Sequence, residues 1–162
     1  MRGPSSQQEF IALTAADATR MAGVHRDACP PGESWSARQF ADLMEQGGVI
    51  ARGIVHGSEL VSFILIQIAV DQAEILTLAT APSQRRNGLA GNLLDQVEAE
   101  LVLRGTAVWL LDVAADNAPG LEFYARNGFS TDGRRRGYYQ RVEGKRVDAI
   151  LMSKPMARQG IT

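Results

Sequence analysis

The 162-residue chain is 45% apolar and 22% charged, the size and balance of one compact domain over residues 1–162 with no room for a second. Its 17 basic and 18 acidic residues give a formal charge of -1, which argues against nucleic acid or an anionic membrane as a partner. A single cysteine, Cys29, excludes an internal disulfide and a cysteine-rich zinc site. Because the sequence also shows no apolar leader or membrane-length segment, it indicates a cytoplasmic protein.

The first half of the chain predicts a strand, a pair of helices and three consecutive strands. Apolar residues recur at helical spacing in the first helix. Ser36 is a typical N-cap for the second helix, which Gly47 and Gly48 end. The predicted segments are, in order, a strand at 10–13, a helix at 15–26, the helix after Ser36, and strands at 49–55, 60–70 and 74–80.

The second half predicts alternating helices and strands. Its first helix stops at Gly105, and Asp116 or Asn117 can cap its second. The predicted segments are a helix opened by residues 82–91, an apolar strand at 108–113 suited to burial on both faces, the capped helix, and strands at 129–140 and 147–154. The complete order, β-αα-βββ-α-β-α-ββ, predicts an α/β fold with a mixed seven-stranded sheet and helices on both faces.

The start of the helix after residue 82 is a candidate anion site. Residues 85–90 read Arg-Arg-Asn-Gly-Leu-Ala, and the free N–H groups of a helix N-terminus can seat a pyrophosphate, which Gly88 lets approach the backbone. By itself such a turn more often marks an ordinary solvated helix start. The turn lacks the Gly-Lys-Ser/Thr of a P-loop and the three glycines of a dinucleotide fingerprint, which favours a nucleotide-like ligand without NTP hydrolysis.

The chain resembles a known family over about residues 73–156. Residues 74–82, followed by Arg85-x-x-Gly88-x-Ala90, are similar to the strand and pyrophosphate loop of GNAT acetyltransferases. Four further stretches resemble the bacterial ribosomal-protein-alanine N-acetyltransferases in particular: LDVAADN at 111–117, FYARNGF at 123–129, RRGYY at 135–139 and DAILM at 148–152. The resemblance implies a GNAT fold, acetyl-CoA as cosubstrate, and acetylation of a protein N-terminus, with the N-terminal alanine of a small-subunit ribosomal protein as acceptor.

The resemblance also implies which residues hold acetyl-CoA. The backbone of Leu78, Ala79 and Thr80 would pair with the pantetheine arm in a split of the sheet, and Asn117 would lie beside the cosubstrate. An amide left unpaired near Leu78 by that split could polarise the acetyl carbonyl. The residues implied for the pyrophosphate are Arg86, Asn87, Gly88, Leu89, Ala90 and Gly91.

Two residues are the candidate catalytic groups. Tyr124 matches the family's general acid, although a lone tyrosine at this spacing also fits the core face of a helix. Asp112 stands where the family usually has a glutamate base. Because it is one methylene shorter, it would act through a bridging water, orient the incoming amine, or serve only in a local ion pair or cap. Glu74 is the reserve base, with a solvated strand carboxylate as its plainer interpretation.

Other polar residues are open to two interpretations. The run Arg134 to Arg136 is either a solvated face or a loop that contacts the acceptor, and Trp35 and Ser36 could line the amine side. The sequence contains no metal-ligand constellation. Both histidines are interpreted as structural or turn residues.

The same sequence is also compatible with other functions. A GNAT domain could acetylate a lysine or a small-molecule amine, because the fold does not determine the acceptor. A non-catalytic acyl-CoA-binding domain is favoured by the altered base at Asp112 and disfavoured by Tyr124. The oligomeric state is not predicted, and the tails at 1–7 and 157–162 are expected to fray.

Overall fold

A computed structural model describes residues 7–156 of the chain. Apart from Gln7, the tails expected to fray lie outside the described residues. Two short 3-10 turns, Ala15–Asp17 and Pro82–Gln84, accompany the regular elements. These are β1 (Gln8–Leu13), α1 (Ala18–Ala28), α2 (Ala37–Met44), β2 (Val49–His56), β3 (Glu59–Ala69), β4 (Gln72–Thr80), α3 (Leu89–Leu103), β5 (Val108–Ala114), α4 (Ala118–Arg126), β6 (Ser130–Gln140) and β7 (Arg146–Pro155).

Side-chain caps determine where the helices begin. Ser36 forms a capping box at α2: its hydroxyl accepts from the Gln39 amide at 3.1 Å, and its own amide donates to the Gln39 side chain at 2.8 Å. At α4 the cap is Asn117, whose Oδ1 accepts from the Gly120 amide at 3.1 Å. The competing candidate, Asp116, instead accepts a 2.6 Å hydrogen bond from Arg141. Satisfying these N–H groups stabilises each helix by about 1 kcal/mol.

The strands form a mixed seven-stranded sheet, which confirms the predicted fold class. Their order is β1-β2-β3-β4-β5-β7-β6. The β4–β5 pair is parallel, whereas β1–β2, β2–β3, β5–β7 and β6–β7 are antiparallel. The β4–β5 ladder runs from Gln72↔Val108 to Ile75↔Leu111, while β4 continues to Thr80 and β5 to Ala114.

Residues 7–156 divide into two compact units. The first comprises 7–67 and 76–97, and the second 68–75 and 98–156. In the first unit α1 and α2 pack on β2 and β3 around Met21, Phe40 and Phe63, each of which is fully buried. The Phe40 and Phe63 rings meet edge to face with their centroids 5.5 Å apart. Burying each such side chain contributes roughly 1.5–3 kcal/mol to folding.

The second unit is built on β5, β7 and β6. Trp109, which is 1% exposed, packs against Phe129 with ring centroids 5.5 Å apart. Along β5 the residues alternate between fully buried and half-buried, so the strand expected to be covered on both faces is fully covered on one. Its half-buried face carries Asp112, and a charged group on that face is more easily solvated than one in a core. No helix among residues 7–156 is long and apolar enough to span a bilayer.

Candidate functional site

The turn that precedes α3 has the backbone conformation of an open helix N-terminus. Arg86 and Gly88 both adopt left-handed conformations, with φ of 70° and 73°. The Gly88 carbonyl accepts from the Asn92 amide at 3.0 Å, so Gly88 is the residue from which α3 begins. Arg86, Asn87 and Gly88 are exposed, and a Cβ on Gly88 would meet no atom within 4 Å. Leu89, Ala90 and Gly91 form the first turn of the helix, and their backbone N–H groups can bind an anion.

Two of the side chains around this turn form hydrogen bonds. Arg85 donates to the Ala28 carbonyl at 3.0 Å, and the Asn87 side-chain Nδ2 donates to Gln84 Oε1 at 3.2 Å. These two bonds restrain Arg85 and Asn87 within the loop, and both side chains are exposed, as is that of Arg86. The fit to a pyrophosphate therefore rests on backbone amides with one arginine beside them.

The last residues of β4 are held from the β3 side. The Ser62 hydroxyl, which is fully buried, donates to the Ala79 carbonyl at 3.1 Å and lies 2.9 Å from the Thr80 hydroxyl. Ala79 is buried, while Leu78 and Thr80 are half-buried. These contacts determine the path of the strand proposed to pair with the pantetheine arm.

His25 connects β4 to the chain between α1 and α2. Its Nδ1 accepts from the Trp35 amide at 2.9 Å, which leaves Nε2–H to donate to the Thr77 hydroxyl at 3.0 Å. The ring is 4% exposed and lies beside Trp35, Phe40 and Phe63. Burial lowers the pKa of His25 below its usual value, so the imidazole is neutral at pH 7. The histidine has the structural role that the sequence analysis favoured.

An open cleft of about 410 Å³ lies beside this histidine in the first unit. Residues of α1 and of the connection to α2 line it, among them Arg26, Trp35 and Ser36. The Ser36 hydroxyl is used by the α2 cap, so this side chain is only partly available to a ligand. Trp35 and Ser36, the two residues expected on the amine side, both line this cleft.

The second unit carries the candidate catalytic residues. Tyr124 projects from α4 and packs edge to face with Phe123 and Phe129, at centroid distances of 5.2 and 5.6 Å. Burial, followed by the neighbouring Tyr139, raises the pKa of Tyr124 well above its usual value of about 10. Its hydroxyl is therefore protonated throughout the neutral and mildly alkaline range.

Tyr139 interacts electrostatically with both candidate catalytic residues, although no sequence pattern assigns it an individual role. Its pKa is raised to about 12, first by burial and then by the negative charge of Asp112, with smaller contributions from Tyr138 and Glu74. Arg141, whose guanidinium carbon lies 5.9 Å from the ring centroid, acts in the opposite direction. Tyr139 in turn helps raise the pKa of Tyr124, so the charge state of Tyr139 affects the candidate general acid.

The arginine run on β6 is exposed and partly paired. Arg134 donates to the Asp148 carboxylate at 2.8 Å, and the guanidinium carbon of Arg135 lies 5.4 Å from the Tyr138 ring centroid. Arg136 is exposed, and its charge helps lower the pKa of Asp148. Asn117, proposed beside the cosubstrate, caps α4 through its oxygen. Among residues 7–156 there is no group of three or more His, Cys, Asp or Glu side chains that could hold a metal ion.

A mixed sheet with a parallel β4–β5 pair, and an open helix N-terminus after the first strand of that pair, is the architecture of an acyl-CoA-dependent acetyltransferase. A model of the acetyltransferase (GNAT) family matches residues 18–129, and the chain belongs to that family. It is 33% identical over 123 residues to the [ribosomal protein bS18]-alanine N-acetyltransferase of Escherichia coli, covering 76% of this chain and 82% of that protein.

Solved structures agree with this assignment. The crystal structure of the ribosomal-protein-S18-alanine N-acetyltransferase from Escherichia coli superposes with a TM-score of 0.86 at 28% identity, covering 96% of this chain and 98% of that one. Arabidopsis thaliana NAA60 in complex with acetyl-CoA has a TM-score of 0.79 at 22% identity over 93% of this chain and 99% of its own, a likeness of fold. The family resemblance predicted from the sequence is confirmed.

Proposed function

We propose that this protein transfers the acetyl group of acetyl-CoA to the α-amine of a protein N-terminus, with the N-terminal alanine of a small-subunit ribosomal protein as the acceptor. The observation that carries the proposal is the similarity to the Escherichia coli alanine N-acetyltransferase, which extends over 82% of that enzyme and is matched by a TM-score of 0.86. The activity is that of an enzyme, and acetyl-CoA is its acetyl donor.

Residues of two segments would hold the cosubstrate. The first-turn amides at Leu89, Ala90 and Gly91, with Arg86, Asn87 and Gly88 before them, are proposed for the pyrophosphate, and the positive φ of Gly88 supports this because it turns the chain into the helix. Leu78, Ala79 and Thr80 are proposed for the pantetheine arm. The end of the β4–β5 ladder at Ile75 supports this assignment, since residues beyond it can pair with a ligand. Asn117 uses its side-chain oxygen in the α4 cap, and it would donate its side-chain N–H groups to the cosubstrate.

Tyr124 and Asp112 are proposed to move the protons. Tyr124 would donate to the departing thiolate, and the ordinary pKa of a thiol is about 8.5. The raised pKa of Tyr124 keeps the proton available but also makes the phenol a weaker acid, so the transfer requires close contact with the sulfur. Asp112, half-buried on β5, would accept the amine proton through a water, and Glu74 remains the reserve base.

The chemistry favours an α-amine over lysine. The ordinary pKa of an α-amine is about 8 and that of lysine about 10.4, so the neutral fraction at pH 7 is on the order of a hundred times larger for the terminus. Deprotonating lysine costs roughly 3 kcal/mol more, at about 1.36 kcal/mol per pKa unit. A short carboxylate such as Asp112, acting through water, is therefore better suited to deprotonating an α-amine than a lysine.

We further propose one domain over residues 1–162, acting in the cytoplasm without nucleic acid or a membrane as partner. The near-neutral charge and the single cysteine support these assignments. The acceptor is proposed to approach the cleft at Trp35 and Ser36.

A pair of peptides tests the acceptor. One has a free N-terminal alanine and no lysine, and the other has the same sequence with a blocked terminus and one internal lysine. Mass spectrometry after incubation with acetyl-CoA should show much faster acetylation of the free alanine. Preferential modification of the lysine would overturn the proposed acceptor while leaving acetyl transfer in place.

A further inference from the structure

The β6–β7 pair contains an irregularity between Arg135 and Tyr139. Arg135 is paired with Ala149 and Tyr139 with Val147, so residues 136–138 of β6 lie opposite the single residue Asp148 of β7. Gly137, in the middle of these three residues, has a φ of 61°. An insertion of this kind bends the strand and redirects the side chains beside it, and such bulges are common next to active sites.

The side chain of Asp148 closes this bulge. Its Oδ1 accepts from the Gly137 amide at 2.8 Å, and its Oδ2 accepts from the Arg134 guanidinium at 2.8 Å. The first of these bonds is the main reason that the pKa of Asp148 lies below its usual range, so the carboxylate is charged at neutral pH. The Asp148 side chain is thus bonded to Arg134 and to Gly137, the residues on either side of Arg135 and Arg136 in β6.

The backbone of Asp148 makes a third connection. Its carbonyl accepts from the Ala115 amide at 2.9 Å, at the turn between β5 and α4. Asp112 lies on β5 and Tyr124 on α4, so this turn joins the elements that carry the two candidate catalytic residues. Asp148 therefore touches both the bulge of β6 and the connection between those two elements.

Tyr139 is the first residue after the bulge that is again paired with β7. Its ring contacts Tyr138 edge to face with centroids 5.1 Å apart, and the negative charge of Asp112 contributes to its raised pKa. We propose that Asp148 is a positioning residue for acetyl transfer, which holds the bulge of residues 136–138 against the turn between β5 and α4 and thereby fixes the position of Tyr139. The inference rests on the proposed function for its catalytic consequence.

Three substitutions separate the bulge contact from the charge. Asp148→Ala removes both side-chain bonds, Asp148→Asn retains an oxygen for the Gly137 amide, and Arg134→Gln removes only the exposed ion pair. We expect kcat to fall about tenfold or more in Asp148→Ala, with the acetyl-CoA KM changed less than about twofold. Asp148→Asn should recover most of the lost kcat, and Arg134→Gln should lower it less than about threefold.

A tyrosine titration reports the position of Tyr139 without depending on turnover. The chain has three tyrosines, so the ultraviolet absorbance of tyrosinate can be resolved by repeating each titration in a Tyr139→Phe background. We expect the raised pKa of Tyr139 to lie closer to its ordinary value in Asp148→Ala than in the parent, by more than roughly half a unit, because the ring becomes more exposed. Circular dichroism at each pH shows whether the protein is folded.

Unchanged kcat together with an unchanged Tyr139 titration in folded Asp148→Ala would overturn the inference. If that variant does not fold, Asp148→Glu decides, because it keeps the charge but displaces the acceptor oxygen. Full kcat in Asp148→Glu would show that charge alone matters and would also overturn it. A parent protein that acetylates no α-amine refutes the proposed function instead, and the titration then decides the role of Asp148 by itself.

Discussion

Gly88 offers a direct test of the pyrophosphate site, since its role depends on backbone conformation. Replacing Gly88 by valine places a β-branched residue at a φ of 73°, in the left-handed region, which costs about 1–2 kcal/mol or more. The new Cβ meets no other part of the chain within 4 Å, so the cost arises from the residue's own backbone and not from packing. Gly105, after the other end of α3, has a φ of 82° and equally open surroundings. Gly105→Val is therefore a matched control, and both variants should melt about 2–8 °C below the parent.

The response to acetyl-CoA should separate the two variants. A ligand that binds only the folded state stabilises it by about 2.7 kcal/mol at a hundred times its Kd, and the parent and Gly105→Val should both show the corresponding rise in melting temperature. Relaxation at Gly88 turns the first amides of α3 away from the anion, so Gly88→Val should show little or no rise. Differential scanning fluorimetry with and without acetyl-CoA makes the comparison. A full rise in Gly88→Val, or none in the parent at saturating acetyl-CoA, would refute the assignment of this loop.

Three further outcomes are expected. Tyr124→Phe keeps the ring contacts but loses the proton, so turnover should fall about a hundredfold with little change in acetyl-CoA affinity, and full turnover when chemistry is rate-limiting would contradict the general-acid role. Asp112→Asn should slow the reaction and Asp112→Glu should be tolerated or faster, whereas a crippling Glu74→Gln with a silent Asp112→Asn would move the base to Glu74. Folded His25 binds fewer protons than the unfolded chain because its pKa is lowered, so stability should fall as pH decreases through about 6.5. Urea unfolding at pH 7 and pH 5 should show a smaller loss for His25→Gln than for the parent, and equal losses would show that another group is responsible.

Helix boundaries could be predicted from the sequence because they depend on neighbouring residues. Ser36 caps the helix that it was expected to cap, through a bond to a residue three positions away. Gly105 and Gly128 end helices with positive φ, as local backbone sterics favour. The leucines of α3 were likewise recognised by their spacing, and Leu93 and Leu101 are fully buried. The roles of the cosubstrate and catalytic residues remain predictions.

The choice among competing partners required the tertiary structure. From the sequence, Asp116 and Asn117 are equal candidates for the cap. In the structure Arg141, 25 positions away, donates a hydrogen bond to Asp116, and Asn117 forms the cap. The closure of the β6 bulge by Asp148 likewise depends on strand pairing across the second unit. A side chain's charge and hydrogen-bonding capacity can be read from its identity. The group that satisfies it is selected by chain folding, because residues distant in sequence compete for the same donor or acceptor and only their final positions decide which bond forms.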